Sequence, residues 1–183
     1  PGVVAISPVI EEKVFLSFKE KSQVAYLKGV SENYSSVIAV ADLIMIGDWL
    51  DFQETNNVVA GFGIAAALSL GGYDYTSYLN IAVPKKQEAG VFSGAPFNQK
   101  AATVMGLYQI SEDLDKKYVF SSADFAQQLL GLDSLKYSAV VLKTRPKIDR
   151  AALQKTIQQQ FKSPVVLVSR AEQNAALYLS LIH

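Results

Sequence analysis

The sequence predicts an α/β (α+β) fold organised as two lobes, on three observations. Residues 117–169 read as strand, helix, strand, helix, strand, the alternation of an α/β unit. Residues 50–112 read mostly as strands, a β-rich middle. The chain has 183 residues, 50% of them hydrophobic, which suffices for one domain or two small lobes whose core needs no disulfide or metal.

Taken in order, Val3 to Ile10 is an apolar strand with Pro8 near its end, and Lys13 to Phe18 is a strand with Val14, Leu16 and Phe18 on one face. Gln23 to Lys28 is a third, closed by Gly29. Glu11-Glu12 and Lys19-Glu20-Lys21 are polar breaks of hairpin length. From Glu32 to Leu43, Tyr34, Val37, Ile38 and Ala41 fall at i, i+3, i+4 and i+7, which predicts a helix with Ser31 as its N-cap. A polar loop around Trp49 leads to a short strand, Asn57 to Ala60, and a short helix, Gly63 to Leu70, stopped by Gly71-Gly72.

Ser77 to Val83 is a strand ended by Pro84, and Lys100 to Ile110 is the returning strand of the same long hairpin. The loop between them, residues 85–99, is long and polar. Loops of that length inside a domain usually carry function or lack fixed structure. A charged turn, Glu112 to Lys117, precedes a short strand from Tyr118 to Phe120. Ser122 and Asp124 then start a helix striped by Phe125, Leu129 and Leu130 and stopped by Gly131. Tyr137 to Leu142 is a strand. Asp149 caps a helix with Leu153, Ile157 and Phe161 each four apart, and Val165 to Val168 is the next strand. A last helix is expected from about Arg170. Its apolar run, Leu177 to Ile182, is read as the beginning of a transmembrane helix, with a buried C-terminal helix as the alternative.

Composition excludes several functions. Lys plus Arg and Asp plus Glu both number 17, so the basic excess of a typical nucleic-acid binder is absent. There is no cysteine, which removes thiol catalysis and Cys-based zinc sites. The single histidine is His183, so the usual general base and metal ligand is nearly absent. The serines lack a histidine partner and any Gly-x-Ser-x-Gly; a Ser–Lys arrangement stays open, with nothing pointing to one. No enzyme activity and no cofactor are expected.

Gly61-Phe62-Gly63-Ile64-Ala65-Ala66 follows a strand and opens a helix, as a dinucleotide fingerprint would. A true one needs a full-length helix and an acid about 20 residues on. Here Gly71-Gly72 ends the helix early, and the next strand ends Ala82-Val83-Pro84-Lys85. These glycines are therefore assigned to a tight strand-to-helix turn. The carboxylate pairs Glu11-Glu12 and Glu112-Asp113 are assigned to solvated turns.

Four landmarks in order resemble the extracytoplasmic domain of the MacB/LolC/LolE/FtsX superfamily of ABC-transporter permeases. They are Gly2-Val3-Val4-Ala5-Ile6-Ser7-Pro8-Val9-Ile10, Tyr26-Leu27-Lys28-Gly29-Val30, the stretch from Val58 through Gly61, Leu70 and Tyr73-Asp74, and Arg170-Ala171-Glu172-Gln173-Asn174 leading into the apolar end. The resemblance implies a porter-like α/β lobe built from both chain ends, residues 1–48 and 113–183, and a β-rich inserted lobe, residues 49–112. It implies membrane anchoring in the full-length protein, at the inner membrane with this domain in the periplasm. The implied partners are a cognate ABC ATPase, a second permease copy or paralogue and, in lipoprotein-releasing members, a periplasmic lipoprotein carrier docked on a hook-like hairpin. That hook matches the loop at 85–99. The residues it assigns to partner binding are Lys85, Lys86, Phe92, Pro96, Phe97 and Lys100. The loop has lysines but no arginine, a departure from the hook. FtsX-like relatives imply a different role, control of a cell-wall hydrolase.

Overall fold

Val3–Phe18 is one continuous strand, β1, of 16 residues. It belongs to a computed structural model that describes residues 2–71, 78–85, 96–132, 136–146, 148–160, 165–168 and 177–181. The sequence breaks this strand at Glu11-Glu12. The structure carries it through because both glutamates have cross-strand partners on β2 (Lys21–Val30), Glu11 opposite Lys28 and Glu12 opposite Leu27. An ion pair gives Glu11 what a solvated turn would otherwise have supplied.

The sheet closes on itself. β2 runs parallel to β7 (Tyr118–Ser122), and β7 antiparallel to β4 (Asn57–Gly61). β4 is parallel to β6 (Phe97–Tyr108), β6 antiparallel to β5 (Leu79–Pro84), and β5 returns to β1 at Phe15–Ser17. The circuit β1-β2-β7-β4-β6-β5 is therefore a ring, which removes the exposed edges of an open sheet. The first half of β1, Val3 to Val9, continues instead into β8 (Ala139–Thr144) and then β10 (Leu177–Leu181) and β9 (Val165–Val168), an open extension. A short β3 (Ile44–Gly47) attaches to β6. The strands of residues 49–112 thus hydrogen-bond to β1 on one side and β7 on the other.

Alternation along the ring strands builds two cores. On β4, Val58 and Ala60 point into the first and Val59 into the second; on β7, Val119 joins the first while Tyr118 and Phe120 join the second. The first core lies inside the ring. Val14, Leu16 and Leu27 pack there with Ile64 and Leu68 of α2 (Phe62–Leu68) and Phe125 and Leu129 of α4 (Ala123–Leu130). The second lies outside, where Val9, Val30, Tyr108 and Val141 meet Tyr34 and Val37 of α1 (Tyr34–Val37). Period-two strands with apolar residues on both faces give this arrangement.

The caps of the later helices are those the sequence predicts. The Ser122 hydroxyl accepts from the Phe125 N–H at 3.1 Å, and Gly131 ends α4 in the left-handed region. Asp149 accepts from the Ala151 and Ala152 N–H groups at the start of α5 (Arg150–Gln158). Glu112–Asp115, expected as a turn, is a single helical turn, α3.

Two helix expectations fail. Residues 32–43 give only the four-residue α1 and a 3-10 turn at Ala41–Leu43, after which the chain enters β3. The apolar stripe there is real, but Ser35, Ser36, Val37, Ile38 and Val40 are poor helix formers, and one turn already buries Tyr34 and Val37. The C-terminal run Leu177–Leu181 is strand β10, between β8 and β9, and neither a transmembrane nor a buried helix. Leu-Tyr-Leu-Ser-Leu is as well suited to period two as to a helix, and β8 offers it a ladder. Among the described residues no helix is long and apolar enough to cross a membrane. The polar collar at 170–174 lies outside the described residues.

Candidate functional site

The β5–β6 hairpin carries the residues that the hook resemblance selects. Its last cross-strand pair is Pro84 opposite Phe97, and the Lys85 N–H then donates to the Pro96 carbonyl at 2.9 Å. The ladder thus runs three residues further than the sequence predicts, with β6 starting at Phe97 rather than at Lys100. Lys85, Pro96 and Phe97 sit together at this end of the ladder, all exposed, with Phe97 at 48%. Lys86 and Phe92 lie outside the described residues.

Lys100 is placed elsewhere. Three residues from Phe97, it falls on the opposite face of β6. Its ammonium donates to the Gln128 side-chain carbonyl of α4 and stands 4.9 Å from the centre of the Phe125 ring. It ties β6 to α4, whereas Phe97 faces outward. Sequence position alone groups the two residues; the pleat separates them.

A second cluster was not visible in the sequence. Lys28 on β2 is buried, with its ammonium 3.4 Å from a Glu11 oxygen and 4.2 Å from the centre of the Tyr118 ring. The Tyr118 hydroxyl donates to the other Glu11 oxygen at 3.2 Å. Lys117 lies over the opposite neighbours, 5.0 Å from the Tyr26 ring and 4.8 Å from the Tyr118 ring. Burial holds the Lys28 ammonium below its ordinary range, and the Glu11 carboxylate pulls it partly back. Only the register of β1, β2 and β7 brings these groups together, so no local motif could have announced them.

Three tyrosines border this cluster. Burial raises the phenol of Tyr34, helped by the Glu11 charge. Burial also raises Tyr108, then the Asp115 charge; its hydroxyl donates to the carbonyls of Leu114 and Tyr118, each at 3.0 Å. Tyr118 is raised by burial and then by Glu11. The sign of the linkage follows. An unfolded tyrosine ionises near pH 10 while these stay neutral, so above that pH the folded state holds more protons and stability falls as pH rises. Lys28 acts oppositely, but only up to its unfolded value of 10.5. Stability should therefore fall as pH rises above about 10.5, with Tyr34, Tyr108 and Tyr118 all acting in that direction. Urea melts at stepped alkaline pH, followed by tyrosinate absorbance, check this. A stability that stays flat through pH 11.5 would contradict it.

Gly61 and Gly63 have a packing role. A Cβ on Gly61 would run into the Asp115 main chain, and one on Gly63 would stand 2.5 Å from Lys116 Cγ. The main chain of α3 fills the space in front of this turn. The Asp115 carboxylate accepts from the N–H groups of Ile110 and Ser111 at 2.8 and 3.3 Å, which fixes α3 there. Among the described residues no group of three His, Cys, Asp or Glu side chains could hold a metal ion.

No protein-family model matches the sequence, and no curated protein matches it. Solved structures do match in fold. The periplasmic region of MacB from Actinobacillus actinomycetemcomitans is similar with a TM-score of 0.57 at 14% identity, over 87% of this chain and 66% of that one. This chain therefore spans just under two thirds of that region. The extracellular domain of the noncanonic ABC-type transporter YknZ from Gram-positive bacteria is similar with a TM-score of 0.50 at 14% identity, over 100% of this chain and 82% of that one. The mixed α/β, sheet-rich architecture is that of the MacB periplasmic region.

Proposed function

We propose that this chain is the extracytoplasmic domain of an ABC-transporter permease, anchored at the inner membrane and exposed to the periplasm. The observation that carries the reading is a fold shared with the periplasmic region of MacB over 87% of the chain. The first three sequence landmarks support it independently. The apolar C-terminus no longer does, since Leu177–Leu181 is a strand. In this reading the domain performs no chemistry. It passes on motion driven by a partner ATPase and binds partners, in lipoprotein release or a related envelope export, beside a second permease copy or paralogue.

The same proposal takes residues 49–112 as the inserted lobe, which supplies β4, β5 and β6 to the ring, and the chain ends as the porter-like lobe, which supplies the extension. Partner docking belongs to the hook-like hairpin, through Lys85, Lys86, Phe92, Pro96 and Phe97, with Lys100 of β6 bracing it against α4. Photo-crosslinking from position 97 of the full-length permease in cells tests this. The expected product is a periplasmic lipoprotein carrier, with an ABC ATPase copurifying. A cell-wall hydrolase in place of the carrier would move the protein to the regulatory role. Absence of any copurifying ATPase would remove the transporter reading altogether.

A further inference from the structure

The outer wall of the ring is covered unevenly. Near Val9 and Val30 it is buried under α1 and the second core. Further along the same strands it is bare. Val24 pairs with Phe15, and Phe15 pairs with Ala82, so these residues form one row across β2, β1 and β5. Their neighbours in sequence, Val14, Leu16, Ala25 and Ile81, are buried inside the ring, so the row points outward. Val24 is 52% exposed and Phe15 44% exposed. An apolar row left open on a sheet face is the kind of surface that marks an interaction site.

Charge decides which occupant fits. The next row pairs Lys13 with Tyr26, and the Lys117 ammonium stands over that Tyr26 ring. The row on the other side pairs Ser17 with Ser22 and with Asn80. Among the described residues no carboxylate occupies these rows. The nearest one along the wall, Glu11, is already bound to Lys28. Glu12 alternates to the other face, where its carboxylate takes the Lys13 main-chain N–H at 3.1 Å. Glu20 lies in the hairpin turn between Lys19 and Lys21. The bare wall is therefore apolar with a positive rim and no negative charge of its own to answer that rim.

We propose that this outer wall, centred on Val24, Phe15 and Ala82 and bordered by Lys13 and Lys117, docks a segment of a partner protein that presents apolar side chains next to carboxylates. A second copy of this chain fits poorly, because the rows of this face carry no carboxylate to set against its lysines, whichever way the face is turned on itself. An anionic bilayer would call for a larger cluster of lysines than this row carries. The inference stands without the transporter reading, since it rests on the face alone and is tested on this chain.

The probe is a fluorescein-labelled peptide alternating leucine and glutamate, followed by anisotropy. The expected result is saturable binding, weakened about tenfold or more in Phe15→Ser/Val24→Ser. Lys13→Glu should weaken it similarly and should instead take up a peptide alternating leucine and lysine. Phe15 and Val24 are about half exposed and pair across strands, so the thermal midpoint should drop by only a few degrees, and binding is compared at a temperature where every variant is folded. Equal binding of both peptides by the unaltered chain would overturn the proposal. So would no binding of the acidic peptide, variants that bind unchanged, or a preference for phosphatidylglycerol vesicles that the variants abolish.

Discussion

Glu11→Gln should destabilise the fold by about 3 kcal/mol, the low end of the range for breaking a buried ion pair. The Lys28 side chain is only 7% exposed and Glu11 22%, so the loss falls mainly on the lysine. An ammonium in that position depends on a nearby carboxylate to offset its lost hydration. Gln keeps the shape and a hydrogen-bonding oxygen for the Tyr118 hydroxyl but supplies no charge. For a chain of this size the thermal midpoint should drop by roughly 10 °C. Lys28→Met in the same background should restore most of the loss, because a neutral, apolar pair of similar volume needs no counter-charge. The double-mutant cycle by urea unfolding therefore separates a charge effect from a packing effect. A Glu11→Gln loss below about 0.5 kcal/mol, the level of an ordinary surface change, would refute the electrostatic account.

Gly61→Ala is the second large effect, at about 3 kcal/mol, the upper end of the usual cost of overpacking. The reason is steric and lies in the backbone. Gly61 has φ −70°, which alanine adopts freely, so conformational preference does not demand glycine there. What demands it is the Asp115 main chain, which occupies the place of a Cβ. Backbone cannot swing aside as a side chain can, so α3 would have to move, and Asp115 would lose its grip on the N–H groups of Ile110 and Ser111. Gly131→Ala is the contrasting control. Gly131 has φ +62° and nothing within 4 Å of an added Cβ, so only the left-handed conformation is penalised, at about 1 kcal/mol. Thermal melts of the two variants rank the causes. Equal losses at both positions would mean that contact with α3 is not what holds Gly61.

Much of the chain's local structure could be read directly. Hydrophobic period, caps and the Gly131 stop located β4, β5, β7, β8, β9, α2, α4 and α5, because each follows from neighbours within a few residues, although α2 ends at Leu68 on a left-handed Ser69 before the Gly71-Gly72 stop is reached. Segments that failed were those where a distant strand outweighed a local preference. Glu11-Glu12 looks like a turn until Lys28 is placed opposite. Residues 32–43 carry a helical stripe, yet only one turn of it forms, and a 3-10 turn then delivers the chain into β3, which pairs with β6. Leu177–Leu181 is apolar enough to suggest a membrane span, and β8 and β9 take it as a ladder partner instead.

The candidate site divides along the same line. The Lys85–Phe97 end of the hairpin was legible, since a proline, a long polar loop and a returning strand are consecutive in sequence. That Lys100 turns inward to α4, and that Val24, Phe15 and Ala82 form one open row, are consequences of pleat and register. By itself the amino-acid order determined which residues are apolar, where the chain can turn, and that no histidine- or cysteine-based chemistry is available. Ring closure, the two cores on opposite faces of the same strands, and the buried Lys28 were decided only when strands far apart in sequence came into hydrogen-bonding distance. A strand's faces are set by its own residues, but what each face meets is set by pairing energy summed over the whole sheet.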